Sequence, residues 1–182
     1  VDLLGFSLGG FIALEIAANY RSLVRKVILA GTGPVGSEGI TQLETVINQG
    51  MKDGPEHALV NLFFTKTGAG ILAGGQFMKR IQQRTVDRDS PSSIETVGAQ
   101  ASAIVNYGSQ SNNNHEQLLA IKCPVLIVNG TADLIVPTIN SYVLSQYIED
   151  SKLVIWSDAG HGALFQYHED FLREAEDFLT RS

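Results

Sequence analysis

A chain of 182 residues with 44% hydrophobic and 18% charged side chains is long and apolar enough to bury a substantial core in one domain of ordinary soluble composition. Thirteen Lys and Arg against nineteen Asp and Glu leave a net charge of -6 with no basic run, which argues against a nucleic-acid partner. The single cysteine, Cys123, excludes an internal disulfide, and no cluster of metal ligands is spaced along the chain, so neither metal nor cofactor is expected. No signal peptide and no apolar run of about 20 residues is visible, so no membrane association is expected and a cytoplasmic location is.

Residues 1–6 are apolar apart from Asp2, as suits a buried parallel strand. They run into Gly5-Phe6-Ser7-Leu8-Gly9, a G-x-S-x-G motif, and then into Phe11, Ile12, Leu14, Ile16 and Ala17, whose spacing predicts a helix up to about Asn19. Strand, serine turn and helix together form the setting of a nucleophile elbow, in which a strained turn projects the serine from the end of the sheet. Gly5 and Gly9 are expected to be glycine because side chains there would meet the neighbouring strand and helix. A second strand is predicted over 27–30, closed by Gly31-Thr32-Gly33-Pro34, which completes a βαβ unit with parallel strands.

From residue 36 to 115 no strong β-run appears, and the stretch is expected to be an inserted helical cap, with residues 1–35 and 116–182 forming the core. Helical spacing is found over 40–51, 55–64, 71–84 and 92–107, the second opened by Pro55. Asp89 to Ser93 reads as a turn with an N-cap, and 108–114 as a polar return loop. The sheet then resumes with an aliphatic strand at 124–130, entered by Cys123 as a buried structural thiol. A helix follows at 137–148, a fourth strand at 152–156 and a closing amphipathic helix at about 167–179.

A serine hydroxyl is a weak nucleophile that needs a base to take its proton and an acid to orient that base. Asp133 lies in the turn after the third strand and His161, in Ala159-Gly160-His161-Gly162, in the turn after the fourth. Like ends of parallel strands gather at one edge of the sheet, so Ser7, Asp133 and His161 can converge there. Asp158 is the rival acid, three positions before His161 in the same short loop, where a carboxylate more often supports the turn. His57, His115 and His168 read as surface or packing residues.

With three motifs in the order Ser, Asp, His, the chain resembles the C-terminal portion of an α/β-hydrolase carrying a helical cap, a serine hydrolase truncated at its N-terminus. The resemblance rests on Gly5 to Gly9, on Gly130-Thr131-Ala132-Asp133 before Val136-Pro137, and on Ala159 to Gly162. Thr131 departs from it, since relatives often carry another acid there. The resemblance implies an α/β fold with a parallel sheet, and cofactor-independent hydrolysis of esters or related acyl compounds through an acyl-enzyme on Ser7. His161 would be the base, Asp133 its partner and the Leu8 backbone N–H one oxyanion donor, with Phe6, Phe63, Phe64, Phe77 and Met78 at the substrate. Perhydrolase, lyase or C–C hydrolase chemistry is possible on the same fold. Epoxide and haloalkane hydrolysis are disfavoured, because relatives performing them place a carboxylate where Ser7 stands.

The first half of such a sheet and the second oxyanion donor would lie upstream of the elbow. The strand at 1–6 is therefore expected to be an apolar edge exposed on both sides, covered by a second copy or by a complementing N-terminal portion. A reading from another class is a non-catalytic fragment acting as a folded scaffold or assembly module.

Overall fold

The computed structural model describes residues 1–111 and 115–181. Four parallel strands, β1 (Asp2–Phe6), β2 (Lys26–Ala30), β3 (Val125–Gly130) and β4 (Ser151–Trp156), form one sheet in the order β1-β2-β3-β4. Helix α1 (Leu8–Asn19) crosses from β1 to β2, and α7 (Ile139–Tyr147) from β3 to β4. Every residue of β2 and β3 is buried. Their runs of Val, Ile and Leu are what a strand covered on both faces requires.

Alternation along the strands divides the core into two layers. Val27, Leu29, Val125 and Ile127 pack against Leu14 of α1, Leu118 of α6 (Glu116–Leu119) and Leu144 of α7. Ile28, Ala30, Leu126 and Val128 face the other way, onto Leu164 of α8 (Ala163–Gln166) and Phe171 and Ala175 of α9 (His168–Thr180). Full burial of such an aliphatic or aromatic side chain stabilises by about 1.5–3 kcal/mol. Lys26 is buried at the start of β2, where its Nζ donates to the carbonyls of Phe178, at 2.9 Å, and of Arg181. A cation there meets the negative end of α9 and satisfies carbonyls that the helix leaves without partners.

Between β2 and β3 the chain is helical, with a short 3-10 turn (Ile40–Gln42), α2 (Leu43–Gly50), α3 (Pro55–Phe63), α4 (Gly68–Gln82) and α5 (Ile94–Ser109). Thr67 caps α4 by accepting from the Gly70 N–H, and Ser93 caps α5 by accepting from the Thr96 N–H. The start of α4 precedes the expected 71, because its first turn holds Gly68 and Gly70, which weaken a helical signal in sequence. The expected return loop at 108–114 is shortened: α5 runs through Ser109, Gly108 is buried where a Cβ would lie 2.4 Å from Ile40 Cγ2, and residues 112–114 lie outside the described residues. The short helices α6 and α8 are additions to the expected elements.

β1 pairs with β2 alone, so its outer edge carries no strand among the described residues. The expected exposure on both faces is corrected. Leu3 packs into the layer under α1 and Phe6 into the opposite layer, which leaves Leu4, at 57%, as the exposed apolar side chain within the strand. Cys123 is half-buried against the α1 layer. No helix among the described residues is long and apolar enough to cross a membrane.

Candidate active site

Ser7 occupies the single residue between β1 and α1, with φ 54 and ψ -121. A left-handed φ at a residue with a side chain costs about 1–3 kcal/mol and is held by its surroundings. The Ser7 N–H donates to the Ala30 carbonyl at 2.9 Å, which pins the turn to the end of β2. A Cβ on Gly5 would sit 2.5 Å from the Gly9 carbonyl oxygen, and one on Gly10 2.4 Å from Thr32 Cγ2. The expected crowding at Gly9 is absent, since a Cβ there meets nothing within 4 Å. Close packing of α1 on the strands therefore falls on Gly5 and Gly10.

Asp133 stands in the turn after β3. Its Oδ1 accepts from the N–H groups of Ile135 and Val136, each at 2.9 Å, in the local closure aspartate favours at turns. Its Oδ2 lies 2.9 Å from Nδ1 of His161. The side chains of this pair are 0% and 2% exposed. A carboxylate only accepts, so Nδ1 carries the shared proton, and Nε2 is the ring nitrogen left to exchange a proton with a partner. Three donors on one carboxylate compensate its removal from water.

His161 is held in the loop between β4 and α8, with the ring of Phe6 at 4.9 Å and that of Phe63 at 5.4 Å. Ser7 and His161 line one cavity of about 240 Å³ between the sheet edge and the helices of residues 36–115. Ser7 makes no side-chain hydrogen bond among the described residues; in the absence of substrate such contacts are often long and tighten in the complex. Larger hollows run along α1, at about 490 Å³, and between α2 and α5, at about 400 Å³. Neither is lined by Ser7, Asp133 or His161, so volume is a poor guide here.

Leu8 is the first residue of α1, whose first-turn N–H groups lack intrahelical acceptors and carry the positive end of the helix dipole. Phe6 and Phe63 line the cavity. Phe64 and Phe77 are instead buried against each other, rings 5.5 Å apart, and Met78 is half-buried outside the lining. The sequence reading missed Leu43 and Ile47 of α2, Ile104 of α5 and Ile135 as lining residues. It also missed Phe165, whose ring packs on Phe6, Phe63 and Phe77. Apolar periodicity in α2 and α5 was visible, but which way it points is a tertiary fact.

The rival groups lie elsewhere. The carboxylate of Asp158 accepts from Thr65 and Thr67. His57 is exposed with its Nδ1 on the Asp53 carbonyl, His115 stacks on Tyr147 at 3.7 Å, and His168 is half-buried. The described residues contain no group of three side chains able to hold a metal ion.

A profile described as alpha/beta hydrolase fold matches residues 1–166. Over 98% of this chain the sequence is 28% identical to serine hydrolase BPHL of Mus musculus, covering 54% of that protein. It is 25% identical over its whole length to the 2-hydroxymuconate semialdehyde hydrolase of Pseudomonas putida, covering 63% of it. The chain thus spans little more than half the length of these relatives. Among solved structures, an alpha/beta hydrolase fold protein from Chitinophaga pinensis superposes with a TM-score of 0.94 at 34% identity, over all of this chain and 65% of that one. An elbow serine after the first strand, a buried acid and imidazole after the third and fourth, and a profile match over most of the chain lead to one assignment: this chain belongs to the alpha/beta hydrolase fold family.

Proposed function

We propose that this chain carries the nucleophile, base and acid of a serine hydrolase acting on esters or related acyl compounds. The observation that carries the reading is the buried Asp133–His161 pair opening onto the same cavity as the elbow serine. Ser7 Oγ attacks the acyl carbonyl as Nε2 of His161 takes its proton, and Asp133 stabilises the imidazolium that forms. The imidazolium then protonates the leaving alcohol, and water, activated by the same base, releases the acyl group. The Leu8 N–H, at the start of α1, would stabilise the developing oxyanion.

The cavity lining points to the substrate class. Besides Ser7 and His161, its one polar side chain is Gln100, and none of its described lining residues is charged. A carboxylate or ammonium on the acyl group would be desolvated there without a partner, so the acyl group is neutral and apolar. A second reading draws on the relative named for 2-hydroxymuconate semialdehyde and takes the substrate to be a carboxylate-bearing non-ester; the uncharged lining argues against it.

A fluorophosphonate probe tests the chemistry. The folded chain should gain one adduct by intact mass, and Ser7→Ala should gain none. A folded parent chain that stays unmodified, or a labelled Ser7→Ala variant, favours the scaffold reading instead.

A further inference from the structure

Beside the Asp133–His161 pair lies a second acid whose contacts run the other way. Asp158 occupies the turn between β4 and α8 with φ 51, a left-handed conformation that aspartate adopts more readily than most side chains. Its carboxylate is taken up by the helical insertion: Oδ1 accepts from Thr65 Oγ1 at 2.8 Å and Oδ2 from Thr67 Oγ1 at 2.7 Å. Its main chain faces the core. The Asp158 N–H donates to Thr131 Oγ1 at 3.1 Å, in the turn that carries Asp133, and its carbonyl accepts from Gln166 Nε2 at 2.7 Å.

The other end of the same loop is pressed against the end of α3. The Gly162 N–H donates to the Phe63 carbonyl at 2.8 Å. A Cβ on Gly160 would lie 2.7 Å from that carbonyl oxygen, and one on Gly162 2.8 Å from Phe63 Cβ, so the approach tolerates glycine alone. Residues 63–67 therefore grip the loop on both sides of His161, through Asp158 before it and Gly162 after it.

We infer that Asp158 is a positioning residue, a latch that couples the seating of the cap to the placement of the His161 imidazole. With Thr65 and Thr67 on its carboxylate, the cap holds Phe63 against the His161 ring, in the cavity that Ser7 also lines. When the latch opens, the Gly162 contact loosens and the base loses its aim while its bond to Asp133 persists. Coupling of this kind is reciprocal, so a ligand that seats the cap also steadies the base. The inference rests on His161 being the base, although the latch itself can be tested without any turnover.

The test uses the full chain with Asp158→Ala, Asp158→Asn, Thr65→Val and the Asp158→Ala/Thr65→Val pair. Thr65 is chosen because Thr67 also caps α4. Amide exchange at Gly162 should rise about tenfold in Asp158→Ala, and adding Thr65→Val should raise it no further, as expected for partners in one contact. The maximal rate of fluorophosphonate labelling should fall about tenfold with the half-saturating probe concentration unchanged, and Asp158→Asn should recover most of it. The downfield proton resonance of the His161–Asp133 bond should persist throughout. Unchanged Gly162 exchange in Asp158→Ala, or effects of the two substitutions that simply multiply, would overturn the inference. If Asp158→Ala fails to fold, Thr65→Val alone decides by the same exchange measurement. Should the parent chain fail to label through Ser7, the catalytic reading falls and the exchange data still decide the latch.

Discussion

Asp133→Asn is the sharpest single probe of the site, because the structure dictates how the new amide must sit. Two backbone donors, the N–H groups of Ile135 and Val136, face Oδ1 at 2.9 Å. An amide nitrogen there would oppose two N–H groups, so the asparagine oxygen takes that place and its NH₂ turns toward His161. Nδ1 must then accept, which drives the ring proton onto Nε2. The tautomer that forms cannot take the Ser7 proton, and a comparable change in a triad costs about 10⁴ in rate. The fold should survive, since the amide keeps both turn bonds and one bond to the ring; replacing a charged hydrogen bond by a neutral one costs about 1–2 kcal/mol. The assay is the second-order rate of fluorophosphonate labelling, with the unfolding midpoint measured alongside. A variant that unfolds near the parent's midpoint yet labels within tenfold of it would refute the assignment of Asp133.

Gly5→Ala should destabilise by about 1–3 kcal/mol and blunt labelling, because its Cβ meets backbone at 2.5 Å, while Gly9→Ala, with nothing within 4 Å, should leave the unfolding midpoint within a degree or two. At matched length, an ester of a neutral acyl chain should be hydrolysed about tenfold or more faster than one ending in a carboxylate, and equal kcat/KM for the two would sink the apolar-cavity argument. Burial raises the Cys123 thiol above its usual value, so less of it is thiolate at neutral pH. Its alkylation by iodoacetamide should therefore be slower than that of a free thiol, with the rate still climbing where the free thiol has levelled off; a rate equal to the free thiol's would contradict it. Lys26→Met should fray the end of α9 and lower stability by about 1–2 kcal/mol, seen as faster amide exchange at Leu179 and Thr180.

The parallel sheet was legible because β2 and β3 are unbroken aliphatic runs, and such runs between glycine-rich turns leave few alternatives. The loop positions of Ser7, Asp133 and His161 were legible for a topological reason, since each follows a strand of the same sense. The cap was harder. Glycines inside α4 hide its first turn, and α6 and α8, at four residues each, are too short to leave a period. Phe63 and Phe64 are adjacent and chemically identical, yet one lines the cavity and the other is buried behind it. That difference is set by how α3 docks, which no local pattern encodes. The crowding expected at Gly9 belongs to Gly10 for the same kind of reason, because helix phase decides which glycine meets Thr32.

The two innermost strands, β2 and β3, are hydrogen-bonded neighbours, yet everything from residue 31 to 124 is threaded between them. Bringing such distant segments together costs roughly 4 kcal/mol of chain entropy before the first ladder bond repays it. The centre of the sheet is thus its slowest part to assemble, and refolding should wait on this one long-range closure while α1 and its flanking strands form early.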